Sequence, residues 1–383
     1  MTRTTISIFK ADVGSVAGHS TPHKKMLYLC KNVLKEGIKY KIIKDFYVTR
    51  VGDDIQLIMT HDKGENNKYV HKLALDAFLE AANFAKKHHL YAAGQDLLSD
   101  AFSGTLKGMG PGFAEMEFEE RKSEPIIFLM ADKTEVSSFS LPFARAFMDP
   151  FSTTGLVIDP RMQSGFKFEI HDIKEHKGII LSSPEESYEI LTLISDTTKY
   201  VIKRIFSKDE NIGIAASLST EKLNISAGRY VGKDDPVAIV RAQSGLPAVG
   251  EILQPFAFPQ LVAGWMRGSH YGAWYPCSIE DSTPTYFDGP PRICAIGFQI
   301  CEGRLIGLED PEENEENYGE HKPVDYFEGS VWDIVRREAM KISRYMRGHG
   351  PFMPGTLPEE EMEYTTKPDV LKKIEQRMKP LSE

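Results

Sequence analysis

The stretch Thr4-Thr5-Ile6-Ser7-Ile8-Phe9-Lys10-Ala11-Asp12 alternates, with Ile6 and Ile8 on one face, and predicts a β-strand that stops at an acid. A glycine-containing loop at 14–18 leads to His19, and a short helix is expected over 23–35. Further out, 46–50 and 55–61 read as two strands joined at Gly52-Asp53-Asp54, the second alternating through Ile55, Leu57 and Met59. Residues 70–88 switch to helical spacing, with Leu75, Phe78, Leu79 and Ala82 on one side and basic residues in the last turn. The change of period from two to 3.6 within ninety residues already implies a mixed α/β architecture.

The same pattern continues along the chain. Residues 126–130 form a buried strand ending at Asp132-Lys133, 139–159 read as a long ordered loop, 166–170 as a strand and 184–194 as a helix. A strand at 238–241 follows Lys233-Asp234-Asp235, and 254–292 is too punctuated for regular helix. The acidic run 309–320 reads as a solvated surface insertion, and helices are expected at 331–346 and 367–378. With no repeat and no linker, one domain over residues 1–383 is expected.

Bulk properties narrow the function. The chain has 383 residues, 41% hydrophobic and 26% charged, enough to bury an extended core and unlike a disordered chain. A net charge of -9 argues against a nucleic-acid binder, which needs a basic face. Cys30, Cys277, Cys294 and Cys301 lack the spacing of zinc or thiol-exchange motifs and read as reduced thiols. Neither a leader-like start nor a membrane-length apolar run is visible, so a cytoplasmic protein without membrane association is expected.

The chemistry concentrates where strands end. Asp12, the Asp53-Asp54 pair, Asp132 and the Asp234-Asp235 pair all occupy such positions, and carboxylates converging at a sheet edge suit a hard divalent cation and the phosphate it would bind. Any one pair alone reads as an ordinary turn. Gln95 has a side-chain carbonyl to offer a metal, and His19 suits a ligand, a phosphate contact or a structural hydrogen bond. Lys133 fits a surface salt bridge to Asp132, and Arg267 and Arg292 fit either a phosphate clamp or a carbonyl contact. Lys233 joins a Schiff-base-competent amine to two carboxylates that favour its charged, unreactive form unless metals neutralise them. Tyr230 lies three residues before it, placed for proton transfer or simply for packing.

Longer strings resemble a known family. Lys10-Ala11-Asp12-Val13-Gly14-Ser15, Val51-Gly52-Asp53-Asp54, Tyr91-Ala92-Ala93-Gly94-Gln95-Asp96, Tyr230-Val231-Gly232-Lys233-Asp234-Asp235-Pro236, Trp265-Met266-Arg267-Gly268, Phe287-Asp288-Gly289-Pro290-Pro291-Arg292 and His349-Gly350-Pro351-Phe352-Met353-Pro354 are similar to the bifunctional fructose-1,6-bisphosphate aldolase/phosphatases of archaea and some thermophilic bacteria. The resemblance runs from about residue 4 to about residue 366. It implies a layered α-β-β-α sandwich, a homo-octamer, sugar phosphate substrates and several Mg2+ ions per subunit. It also implies a gluconeogenic enzyme that condenses dihydroxyacetone phosphate with glyceraldehyde 3-phosphate and hydrolyses the 1-phosphate of the product.

By the same resemblance, Lys233 would form the Schiff base, Tyr230 would move the aldol proton and Asp12 would act as base in hydrolysis. Metal ligands would come from Asp12, His19, Asp53, Asp54, Gln95, Asp132, Asp234 and Asp235. Substrate contacts would come from His19, Tyr91, Gly104, Lys133, Gln243, Arg267, Asp288 and Tyr345. Two other readings remain at this stage: a magnesium-dependent sugar or inositol phosphatase without aldolase activity, and a non-catalytic metal-binding or sugar-phosphate-sensing protein.

Overall fold

Strand β1 (Arg3–Ala11) forms over the alternating stretch that opens the chain. The computed structural model describes residues 2–97, 111–222, 234–265, 270–285, 289–309, 318–348 and 367–381. β2 (Asp45–Val51) and β3 (Asp54–His61) make the expected hairpin, with Val51 opposite Asp54 across a two-residue turn. Gly52 takes the first turn position at φ 59, where a tight hairpin requires positive φ and glycine supplies it without strain.

β1 lies between β3 and β4 (Gly112–Glu119), antiparallel to both. A sheet results in the order β10-β4-β1-β3-β2, where β10 is Glu221–Lys222. The second sheet is centred on β5 (Glu124–Asp132), flanked by β11 (Val237–Arg241) and β15 (Arg292–Cys301). It extends through β9 (Ile214–Leu218), β8 (Tyr200–Ser207), β6 (Phe166–Asp172) and β7 (Lys177–Ser182).

Alternation along these strands builds the layers. Ile6 and Ile8 of β1 and Ile58 of β3 face inward against Phe128, Met130, Ile239 and Ile296 of the second sheet. Each such side chain, fully removed from water, stabilises by about 1.5–3 kcal/mol, so this middle layer is what holds the sheets face to face. Phe9, Ala11, Leu57 and Met59 point the other way, onto helices α1 (Lys24–Lys39) and α2 (Lys68–Lys87), meeting Cys30, Leu34, Ala74 and Phe78. The outer face of the second sheet, with Ile127, Leu129, Phe168 and Ile202, is covered by Phe143, Phe147, Ile190 and Leu193 from helices α3 (Ser140–Met148) and α5 (Ser187–Ile194). The architecture is an α-β-β-α sandwich, as the resemblance implied.

Two departures from the sequence reading have clear causes. Residues 139–159, expected to be loop, contain α3 and the short helix α4 (Gly155–Ile158). Pro142 sits in the first turn of α3, where no amide hydrogen bond is lost, so it does not interrupt the helix. β4, β7, β8, β9 and β15 were not anticipated; β9 and most of β15 are buried on both faces and therefore lack the alternation that marks a half-exposed strand. The described part of 254–292 contains a 3-10 turn at Gln254–Ala257 and the short strands β12 (Leu261–Gly264), β13 (His270–Ala273) and β14 (Tyr275–Pro276).

Candidate metal and active site

Both sheets bring an acidic strand terminus to the same end of the sandwich. Asp12 follows β1, Asp53 lies in the β2–β3 turn and Asp54 opens β3, Asp132 closes β5, and Asp234-Asp235 precede β11. Register does the alignment: Ala11 pairs with Ile55, Val237 with Met130, and Asp132 lies directly opposite Arg292. Two triads form, Asp12–His19–Asp53 from the first sheet's side and Asp54–Asp132–Asp235 across the inter-sheet gap, and within each the ligating atoms lie within 4.8 Å of one another.

Lys133 joins the triads, its Nζ 2.8 Å from Asp53 Oδ1 and 3.3 Å from Asp132 Oδ1. Its backbone is left-handed at φ 63, as is that of Asp235 at φ 49, an uncommon state for side chains and one that clusters at functional sites. Asp235 is fixed there because its Oδ1 accepts from the Thr134 amide at 2.6 Å while its own amide donates to the Thr134 carbonyl at 3.0 Å. Lys133 therefore does pair with its neighbour Asp132, but from a largely buried position and with Asp53 as a second partner, so it bridges the triads.

Carboxylates outnumber cationic groups here, and their proton affinities respond. Burial, then Asp53, pushes the Asp12 carboxyl up to about 6. Burial does the same to Asp235, to about 6, with Asp234 and Asp132 adding to it against the pull of Lys10. Asp54 is driven well above the usual carboxylate range by burial, despite Lys10. For Asp53, burial is outweighed by Lys133 and His19, which hold it well below that range. His19 rises to about 10 because it is hydrogen-bonded to Asp12 and Asp53.

These residues fit a hard divalent cation. Carboxylates packed this closely favour either protons or a metal, and the donor set of oxygens with one imidazole suits magnesium-like ions. Asp132 Oδ1 is fully buried and accepts no hydrogen bond, although the Lys133 ammonium is near it. Gly52 lets the hairpin approach: a Cβ there would lie 1.8 Å from Asp132 Oδ2.

Other anticipated residues separate into three groups. Tyr91 is at the site, its ring 4.7 Å edge-on from His19 and more than half exposed. Gln95 begins a 3-10 turn whose next residue, Asp96, accepts the Asp12 backbone amide at 2.9 Å. Gln243 is not brought to the carboxylates of this chain. It lies beyond the far end of β11, on the order of 20 Å along the strand direction from Asp235, where its carbonyl accepts from Arg121. Tyr345 stands exposed on the helix Asp333–Gly348. Gly104, Tyr230, Lys233, Arg267 and Asp288 lie outside the described residues.

Arg292, weighed as a phosphate clamp or a carbonyl contact, is buried and donates through Nε to Asp132 Oδ2 at 2.8 Å and through Nη2 to the same oxygen, with Nη1 on the Pro290 carbonyl. Sequence reasoning also passed over Lys10, fully buried with Nζ 2.6 Å from Asp54 Oδ2. The available signal was a charged residue in line with Ile6 and Ile8 on the core-facing side of β1.

Comparison with known proteins agrees with this arrangement. The fructose-1,6-bisphosphatase family profile matches residues 3–379. The fructose-1,6-bisphosphate aldolase/phosphatase of Ignicoccus hospitalis is 54% identical over 381 residues, covering 100% of this chain and 94% of that protein. The protein of the same name from Methanothermobacter marburgensis is 52% identical over 379 residues, covering 99% of this chain and 100% of its own. That of Moorella thermoacetica is 52% identical over 375 residues, with 98% and 94% covered. With its fold, its paired carboxylate triads and full-length identity of this order, the chain belongs to the fructose-1,6-bisphosphate aldolase/phosphatase family.

Proposed function

We propose that this chain is a gluconeogenic bifunctional enzyme. It joins dihydroxyacetone phosphate to glyceraldehyde 3-phosphate through a Schiff base on Lys233, then hydrolyses fructose 1,6-bisphosphate to fructose 6-phosphate and phosphate with magnesium as cofactor. One observation carries the reading: Asp235, two residues from Lys233, is a member of the second carboxylate triad. The proposed aldol lysine is thus two residues in sequence from a candidate metal ligand, which supports one site for both reactions.

In this reading Asp12, His19, Asp53, Asp54, Asp132 and Asp235 hold the magnesium ions, with Gln95 and Asp234 completing the ligand set. Bound there, magnesium supplies Lewis-acid polarisation of the phosphate and a lowered pKa for the attacking water. Asp12, grouped with His19 and Asp53 in the first triad, is the proposed base that takes a proton from that water. Lys133 adds a fixed positive charge between the triads for the phosphate oxygens, and Tyr91 borders the opening beside His19.

For the aldol step, the uncharged Lys233 amine adds to the ketone of dihydroxyacetone phosphate, the carbinolamine hydroxyl takes up a proton and leaves as water, and the resulting iminium serves as electron sink. Tyr230 moves the proton that makes and quenches the carbanion. Asp234 and Asp235 oppose this chemistry by favouring the lysine's charged form, so their engagement by magnesium is a precondition of it. Gly104, Arg267 and Asp288 are proposed substrate contacts on the strength of their matched strings. Gln243 and Tyr345 are proposed with them on the family resemblance, although Gln243 lies away from the carboxylates in this chain. The family resemblance further supports one domain, a homo-octamer and a cytoplasmic location; among the described residues no helix is long and apolar enough to cross a membrane.

Phosphate release from fructose 1,6-bisphosphate tests the hydrolytic half. Release that requires magnesium and falls at least about a hundredfold in Asp12→Asn is expected. A chain that releases none, with magnesium demonstrably bound, contradicts it.

A further inference from the structure

Lys10 is the last core-facing residue of β1. The row Ile6, Ile8, Lys10 points across the gap to the second sheet, and where its two predecessors meet hydrophobic partners, Lys10 meets carboxylates. Its Nζ lies 2.6 Å from Asp54 Oδ2 on its own sheet and 3.6 Å from Asp235 Oδ2 on the other. The side chain has no exposure to solvent. A lysine this deeply buried is retained only where charge partners offset its desolvation. These partners are two of the three members of the second triad.

We propose that Lys10 is a fixed internal cation of the second triad, a positioning residue that holds Asp54 and Asp235 together across the two sheets and sets how tightly that triad takes magnesium. The inference rests on the reading of the triads as magnesium sites. Lys10 partly neutralises the carboxylates a divalent ion must also neutralise, so it lowers the affinity for that ion while keeping the ligands aligned. Withdrawing the charge without the bulk removes the cation that Asp54 and Asp235 share in the metal-free protein. Magnesium then relieves a larger repulsion and binds more tightly, although the ligand geometry is looser. A residue needed only for packing or folding would have the opposite effect, since its loss would weaken binding.

The test is calorimetric titration of the full chain with magnesium, with melting temperature followed in parallel, for wild type, Lys10→Met and Lys10→Arg. Lys10→Met is expected to bind magnesium roughly tenfold more tightly, to melt lower without metal and to gain more on adding it, and Lys10→Arg to stay near wild type. Should Lys10→Met fail to fold without metal, Lys10→Gln refolded in magnesium and then dialysed gives the same comparison. Unchanged or weaker binding in the neutral variants, with wild type binding normally, overturns the proposal alone. No magnesium uptake by wild type removes the underlying reading, and this proposal with it.

Discussion

At the scale of single residues, the site is held by a few side chains that do not themselves react. Gly52 admits Asp132 to the hairpin, and a methyl there collides with the carboxylate at a backbone angle only glycine adopts without strain. Gly52→Ala is expected to cost about 1–3 kcal/mol in denaturant unfolding and to weaken magnesium binding in calorimetry. Arg292 neutralises Asp132 from the far side, and Arg292→Met leaves that carboxylate buried without its main partner. A loss of about 3–5 kcal/mol is expected, read by the same unfolding experiment, because removing one member of a buried pair strands the other. What the sequence disclosed at this scale was the acids, since an aspartate at a strand end is visible in one dimension. Lys10 and Arg292 were not legible as partners, because each meets its carboxylate only through cross-strand or cross-sheet proximity.

At the scale of elements, the strands and helices that flank the site were readable wherever residue types alternate in the sequence, as in β1 and β3, although both strands are buried on both faces. β1, the β2–β3 hairpin and α2 all carry a period that a pattern search detects, and each forms within a few residues of expectation. α3 was hidden by a proline that its first turn tolerates, and β9 and β15 by nearly unbroken runs of apolar and small residues that show no alternation. α2 also has a defined start: Asn67 caps it, its side-chain oxygen accepting from the amides of Tyr69 and Val70. Asn67→Ala is expected to lower stability by about 1 kcal/mol and leave phosphate release unchanged, measured by unfolding and by steady-state assay. An effect on activity would show that α2 is coupled to the site more directly than through β1 and β3.

At the scale of the whole molecule, the sandwich concentrates negative charge at one end, and the consequences should appear in how stability depends on pH and metal. Asp12 and Asp235 bind protons more tightly in the folded chain than in the unfolded one, both being raised to about 6 by burial. Their contribution to stability is complete below the ordinary carboxylate range and is lost as pH rises through about 6. A divalent ion replaces those protons, so the rise in melting temperature on adding magnesium should be larger at pH 7.5 than at pH 5, as a thermal scan in each buffer would measure. A rise that is equal or larger at the acid pH would contradict the assignment of these carboxylates as ligands. The proposed function rests on the same convergence: Asp235, two residues from Lys233 in the sequence, joins Asp54 and Asp132, and the proposal that hydrolysis and aldol chemistry share one site follows from it. The most direct measurement is borohydride trapping with labelled dihydroxyacetone phosphate in magnesium. Wild type should become covalently labelled, and Lys233→Met should lose the label while still binding magnesium; label persisting in that variant, or absent from wild type, would contradict a shared site.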